Sequence, residues 1–506
     1  MDLSVWAASQ PDKPAVIDAS GAALSYADLE AQSNRIAHLF RSLGLKPGDH
    51  IAILSENRLE LFAIVWAAQR TGLLYTPVNW HLTAGEAAYV VENCGARVVI
   101  ASANLGELAA QLPEVEHRLV FGGTLPGHVS LEEQVHDLAS TPVDDQVEGS
   151  PMFYSSGTTG RPKGILPPLP EAPFGTGLRF DHLMQTSFGF DDGVVYLSPG
   201  PLYHAAPLGW SLGAMRSGGT AVIMDRFDAE DVLRLIERDR VTHAQFVPTM
   251  LVRMLKLPDE VRQRYDLSSL RLVIHAAAPC PVDVKHAMIA WLGPILIEFY
   301  ASSEGTCFFT IDSQTWLDHP GSVGRAAVGE VHVCDEAGNE LPIGEIGQLW
   351  FSGVTQFSYH GDPEKTASAY DARGWSTLGD LGRVDEEGFL YLADRRTDLI
   401  ISGGVNIYPR EVEEALILHP SVLDVAVIGV PDEEFGHRVH AVVSAAPDAE
   451  PAPGPELEAE LTAYSREHLA GFKVPRSWSF EEVPRLPTGK ILRRVLLERY
   501  RPSAIG

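Results

Sequence analysis

The chain is poor in cysteine. Among 506 residues there are four, Cys94, Cys280, Cys307 and Cys334. No two form a CxxC pair and none are densely spaced; reduced, structural thiols and a cytoplasmic setting are the expectation. Positive charge is also scarce: 39 Lys and Arg stand against 67 Asp and Glu, a formal net charge of -28. A protein that lives on phosphate backbones is normally basic, so nucleic acid is not expected as a partner. An anionic membrane surface is disfavoured for the same reason. The acidic balance does not exclude small phosphate-bearing ligands, because backbone N–H nests bind phosphate inside acidic proteins. It leaves a homodimer open. No apolar run approaches the ~18 residues of a membrane span. The opening MDLSVWAASQPDKPAV lacks a basic stretch followed by an apolar one, so no signal peptide is expected.

What is present is ordinary globular composition, with 45% hydrophobic and 21% charged residues. A single core rarely grows to this length, so at least two domains are expected. Ser25 and Asp28 resemble a capping box opening a helix to about Leu43, and Gly44 suits the position past its end. HIAIL (50–54) reads as a buried strand. A helix over 59–70, a stop at Gly72 and a strand over 73–78 repeat the unit. Thr83 and Glu86 cap a third helix, Gly95 ends it, and 96–101 is extended. Short apolar strands alternating with amphipathic helices predict an α/β fold with substantial parallel sheet. The rhythm continues through a helix over 228–240 and strands over 243–247 and 270–276. Around 394–397 the texture changes. A Pro-started helix over 409–418, strands over 422–430 and 438–445, a Pro- and acid-rich loop over 448–455, a helix ending near Gly471, a strand and a last helix make a small α+β unit. The predicted domains are therefore 1–394 and 395–506, the second small.

The string YSSGTTGRPKG (154–164) follows an apolar, strand-like start. Glycines Gly157 and Gly160 let backbone N–H groups face one point, Ser155, Ser156, Thr158 and Thr159 add hydroxyl donors, and Lys163 supplies a cation. Such a loop suits a triphosphate. It is not a P-loop: the glycines are too close together, and Gly164 rather than Ser or Thr follows the lysine.

This string resembles the signature of the adenylate-forming enzymes, a superfamily of acyl-CoA synthetases, aryl-CoA ligases, luciferases and peptide-synthetase adenylation domains. Further strings follow in that family's order: PLYHAAP (201–207), YASSEG (300–305), GWSTLGDLG (374–382), DRRTDLIISGGVNIYPREVE (394–413) and PRLPTGKILRR (484–494). The resemblance implies a large N-terminal domain of mixed, largely parallel sheets flanked by helices, and a mobile C-terminal domain. It implies an acid–thiol ligase: ATP and a carboxylic acid give acyl-AMP and pyrophosphate, and coenzyme A then takes the acyl group.

The resemblance also implies site roles. Ser155, Ser156, Gly157, Thr158, Thr159, Gly160 and Lys163 would cradle phosphates. Tyr300 would stack on adenine, with Ser303 at the family's threonine position. Glu304 would hold Mg²⁺, which takes one or two carboxylates plus phosphate oxygens. Asp380, in a turn after a strand-like WSTL, would accept both ribose hydroxyls, and Arg395, after a strand over 388–393, would hold ribose or phosphate. Lys490 would be catalytic, stabilising charge that develops when the carboxylate attacks the α-phosphate. His204 would gate the passage between acid pocket and thiol tunnel, with no general-base work. Gly403 and Gly404 would let the pantetheine arm pass close to backbone. Two half-reactions sharing one small domain imply alternation about a hinge.

Some positions depart from the family pattern. Ala301 replaces glycine, Ser303 replaces threonine, and Thr397 stands where the hinge usually has Asp or Lys. HAAAP (275–279) replaces a more glycine-rich strand end, and the Pro-rich stretch 166–173 is unusual. Segments 247–261, 276–285 and 291–294 resemble ligases for bile-type and other bulky or fatty acids, and an aryl acid also fits. Two other functions compete: an acyl-AMP ligase that loads a carrier protein, and a non-catalytic nucleotide- or acyl-binding homologue. The last should lose Lys490 or Glu304 first, and both are present.

Overall fold

The computed structural model describes residues 2–500 except 156–161, 167–168, 170–171, 279, 355, 396–397, 404, 433–434, 448 and 487–488. By packing, the chain divides into two compact units. One comprises Met1–Phe246, Asp259–Val273 and Gln356–Ser368; the other comprises Val247–Pro258, Ile274–Thr355 and Ala369–Gly506.

The first unit is a layered α/β structure. Its six-stranded parallel sheet includes His50–Leu54, flanked by Leu74–Val78 and Val98–Ser102. Alternate residues of these strands enter different cores. Ile51, Ile53, Val98 and Ile100 join one cluster, and Ala52, Leu54, Val99 and Ala101 join another. A strand covered on both faces needs a continuous apolar run, which is why HIAIL and VVIAS show no polar alternation. The helices between them begin where side chains supply a cap. Ser25 accepts the N–H of Asp28 at the head of Tyr26–Ser42, and a reciprocal Thr83–Glu86 box opens Ala84–Asn93. Each such cap is worth about 1 kcal/mol. A second group of strands, Pro14–Ile17, Val195–Ser198, Thr220–Ile223 and His243–Phe246, is also parallel.

The second unit is mainly antiparallel. Leu296–Ala301, Phe308–Asp312 and Arg325–Val328 pair in succession. Glu330–Cys334, Gly347–Ser352, Asp380–Val384 and Leu390–Arg395 form a four-stranded sheet. Two expectations are corrected here. The WSTL segment is no strand; within it Ser376 makes isolated bridges to Phe351 and Tyr370, and Asp380 opens a strand instead of following one. The last residues show the α+β pattern: helix Pro409–Leu416 with proline in its first turn, the antiparallel pair Val422–Asp432 and Gly436–Ala445, helix Pro455–His468, strand Ser477–Phe480 and helix Arg493–Arg499. Val425 and Val427 pack with Leu416, Leu457 and Leu461, whereas Ala426, Ile428 and Val430 pack with Val483 and Leu496. The final helix therefore covers one face of that sheet and fixes the chain just after Lys490.

Among the described residues, no helix is long and apolar enough to cross a membrane. All four cysteines are free and buried.

Candidate active site

In the first unit, the two ends of the glycine–hydroxyl loop form a β-hairpin. Ser155 lies opposite Lys163, and Tyr154 opposite Gly164. The loop residues Ser156, Gly157, Thr158, Thr159 and Gly160 lie outside the described residues, but their two anchors are in register. A Cβ at Gly164 would lie 2.9 Å from Tyr154 Cζ and 3.3 Å from His360 Cβ, so a larger residue would displace the Tyr154 ring. Tyr154 in turn donates to Asn93 Oδ1 at 2.6 Å. A distant strand, Ser358–Tyr359, pairs with Lys163–Leu166 and completes a three-stranded sheet. It brings the Tyr359 ring to 5.3 Å from the Lys163 ammonium, within cation–π range.

The hairpin segment is tied at its neck. Buried Glu148 accepts the N–H groups of Gly175 and Gly177 at 3.0 and 3.2 Å, and its own N–H donates to the Ala172 carbonyl. Arg216 bridges Glu148 at 2.5 Å and Asp181 at 3.1 Å, with both carboxylates nearly inaccessible. Arg216 also stacks over Trp66, 4.9 Å from the ring centre. Val147 bridges Pro173, so the end of the Pro-rich stretch closes this loop.

His204 caps the helix Ala205–Arg216 from an extended conformation. Its ring centre is 4.5 Å from that of Tyr203. Tyr203 meets His81 edge-on at 6.3 Å, and His81 lies against Trp80 at 3.6 Å. The buried Nε2 of His204 and Oη of Tyr203 have no hydrogen-bond partner among the described residues. Burial, with the His81 ring adding to it, pushes the His204 pKa down to about 3. The ring is therefore neutral near pH 7, which suits a gate better than a cationic anchor.

In the second unit, Tyr300 donates to Asp380 Oδ2 at 2.6 Å. The backbone register sets Asp380 opposite Arg395, the last residue of its strand. Three expected nucleotide positions, Tyr300, Asp380 and Arg395, thus gather on neighbouring segments. Glu304 and Ser303 sit on a turn closed by the Gly305 N–H donating to the Ser302 carbonyl at 3.1 Å. Burial pushes the neighbouring Cys307 thiol up to about 12, with the Asp380 and Glu304 carboxylates adding to the shift. No cluster of three metal-ligating side chains occurs among the described residues. One half-buried carboxylate, Glu304, suits Mg²⁺ whose other ligands are phosphate oxygens and water.

Lys490 follows a tight turn in which Gly489 N–H donates to Leu486 O at 2.7 Å and Leu486 N–H to Lys490 O at 2.8 Å. Arg485 braces it: the guanidinium pairs with Asp424 through two bonds of 2.6 and 2.7 Å and also donates to the Gly489 carbonyl. Gly403 donates its N–H to the Phe435 carbonyl at 2.8 Å; Gly404 and Thr397 lie outside the described residues. Sequence reading missed Tyr359, Glu148, His81 and Arg485. Arg485 stands inside a motif already singled out, whereas Tyr359 and Glu148 carry no local signal.

The first unit thus carries the glycine–hydroxyl string with Lys163 on a hairpin, and the second carries the Tyr300–Asp380 pair and the turn before Lys490. The chain belongs to the AMP-binding enzyme family: that family's model matches residues 3–359, and the model of its C-terminal domain matches 411–490. It is 32% identical over 516 residues to the fatty acid–[acyl-carrier-protein] ligase ScoC of Streptomyces coeruleorubidus, covering 98% of this chain and 95% of the relative. It is 34% identical over 489 residues to a feruloyl-CoA synthase of an Amycolatopsis species, covering 95% and 94%. The solved structure of the amide bond synthetase McbA from Marinactinospora thermotolerans matches with a TM-score of 0.81 at 28% identity, covering 98% of this chain and 99% of that one.

Proposed function

We propose that this protein is an AMP-forming acid–CoA ligase. A carboxylate oxygen attacks the α-phosphorus of ATP, the bond to the β-phosphate oxygen breaks, and acyl-AMP and pyrophosphate result. The thiol of coenzyme A then attacks the acyl carbon, releasing AMP and acyl-CoA. The observation that carries this reading is the hairpin that sets Ser155 against Lys163 at the base of a glycine–hydroxyl loop. Ser155–Gly160 and Lys163 hold the phosphates; Glu304 would hold Mg²⁺, which would neutralise phosphate charge there. Tyr300 lies along adenine, and its hydroxyl orients Asp380 to accept the ribose hydroxyls beside Arg395. Lys490 stabilises charge on the α-phosphate and acyl oxygens as they meet. Neutral His204, with Tyr203, gates the acid pocket.

Residues 395–506 turn about the region of Thr397 between the half-reactions, exchanging Lys490 for Gly403 and Gly404. The acid is hydrophobic, of fatty, steroid or aryl type. Four free buried thiols suit a cytoplasmic setting. A second reading, loading of a carrier protein, is favoured by the similarity to ScoC.

The test is incubation with ATP, Mg²⁺, a panel of fatty, steroid and aryl acids, and either CoA or a phosphopantetheinylated carrier protein. Acid-dependent pyrophosphate release with an acyl-CoA product is expected. Thioester on the carrier alone selects the second reading. Absence of acid-dependent pyrophosphate release with every acid rejects both.

A further inference from the structure

The turn before Lys490 meets a segment from far upstream. Gly489 adopts φ +80°, and a Cβ there would lie 2.8 Å from Thr249 Oγ1 and 3.0 Å from Val247 Cγ2. The helix Pro248–Leu255 begins at that contact and ends beside Lys256. The Lys256 ammonium donates to the Val422 carbonyl. Two residues on is Asp424, the buried carboxylate that grips Arg485. Burial pulls the Lys256 pKa down, and the Asp424 carboxylate opposes that pull. One upstream segment thus touches both ends of a chain of contacts, from the Val422–Asp424 strand start through Arg485 to the carbonyl of Gly489.

Lys256 lies outside 395–506, whereas Val422, Asp424, Arg485 and Gly489 lie inside it. If that part of the chain turns between half-reactions, the contacts at Val422 and Gly489 exist in one orientation and break in the other. The Arg485–Asp424 pair is internal and survives both. We infer that the segment 247–256 is a latch for the adenylate-forming arrangement, with Lys256 on the Val422 carbonyl and Thr249 against Gly489 as its two contacts. Lys256 is a positioning residue acting through the turn that carries Lys490. The inference rests on the ligase reading for its consequence in catalysis, and on the geometry alone for its effect on the turn.

A latch of this kind shifts the population of one orientation without touching the chemistry. Loss of a hydrogen bond from a charged donor should lower the adenylating population about 10-fold. Lys256→Met keeps the aliphatic stem and removes the ammonium. It should slow acid-dependent pyrophosphate release about 10-fold, while thiolation of supplied acyl-adenylate stays unchanged or quickens. Lys256→Arg should restore most of the lost rate. Gly489→Ala, strained at positive φ and blocked by Thr249, should move the same ratio further. Thermal melts of each variant check that the fold persists.

The second readout needs no activity. Hydrogen exchange at the amides of Leu486, Gly489 and Leu492 should quicken in Lys256→Met relative to the unaltered protein. Equal slowing of both half-reactions, or an unchanged ratio together with unchanged exchange, overturns the latch. An unaltered protein that forms no acyl-adenylate overturns the ligase reading instead, and the exchange comparison still decides the latch.

Discussion

Lys163 and Lys490 are both cations proposed to meet phosphate, yet the backbone carries them differently. Lys163 is a strand residue. Ser155 pairs it on one side, Ser358–Tyr359 closes the sheet on the other, and an aromatic ring lies beneath its ammonium. The surrounding loop is tied at its neck by a buried Glu148–Arg216 bridge. Lys490 follows a turn that Arg485 braces and that Thr249 and Val247 approach at Gly489. A sheet position suits the proposed role of Lys163 in holding phosphates throughout the cycle, and a turn suits the proposed role of Lys490 in one half-reaction.

The largest expected effect breaks the Lys490 side. Lys490→Ala should reduce acyl-adenylate formation by roughly 10²–10³-fold, the loss typical when a transition-state donor is removed. Thiolation of supplied acyl-adenylate should survive, measured as acyl-CoA produced without ATP. Equal loss of both steps rejects the assigned role.

The next effect breaks the Lys163 side. Arg216→Ala leaves Glu148 and Asp181 buried without their cation. Unfolding in urea should show a loss of roughly 3–5 kcal/mol, and the phosphate hairpin should become protease-sensitive. A loss below about 1 kcal/mol, the scale of an exposed pair, rejects the neck as a buried clamp.

A smaller effect sharpens the comparison at Lys163 itself. Tyr359→Leu removes the ring face and should raise KM for ATP by about 2–10-fold, the range of a cation–π contact. Tyr359→Phe should leave KM unchanged. Because the ring positions a binding group, kcat should change less than KM; a matched fall in kcat contradicts that role.

The last is a pH dependence. Burial holds His50, His243 and His440 near pKa 4 and His204 near 3, below the ordinary value of about 6.5. Between those values the unfolded chain binds more protons than the folded one, so stability rises with pH. The contribution of these neutral rings is complete above pH 6.5 and is lost progressively as pH falls toward 4. Urea midpoints measured from pH 7.5 to 4.5 should therefore decline. The rate profile of adenylation should show no inflection that disappears in His204→Asn, because His204 does not titrate in the working range.

Much of the fold was legible because it rests on local rules. The Thr83–Glu86 box, the stop at Gly95 and the unbroken apolar run at 50–54 each act within a few residues, and each appears where expected. Element ends moved by a residue or two where pairing decided them: the strand read over 270–276 is Leu272–His275. The WSTL segment misled because its apolar ends suggested a strand, whereas Ser376 found partners on both Phe351 and Tyr370 and opened a bridge instead. For the site, the string around Lys163 stood out by its glycines and hydroxyls, whereas Lys490 was named only by the resemblance of its motif to a family pattern. Tyr300 and Asp380 were both named, but nothing local said that one would donate to the other across 80 positions.

The sequence by itself determined the layered α/β architecture through periodicity and caps, which are properties of neighbouring residues, and the family through motif strings that resemble its pattern. Tertiary structure alone decided what stands behind those residues: Tyr359 under Lys163, Arg216 on Glu148, Lys256 on the strand start at Val422. Such partners are chosen by burial and sheet register between segments far apart in the chain, and burial makes an unpaired charge costly enough that its partner must be supplied from wherever the fold brings one.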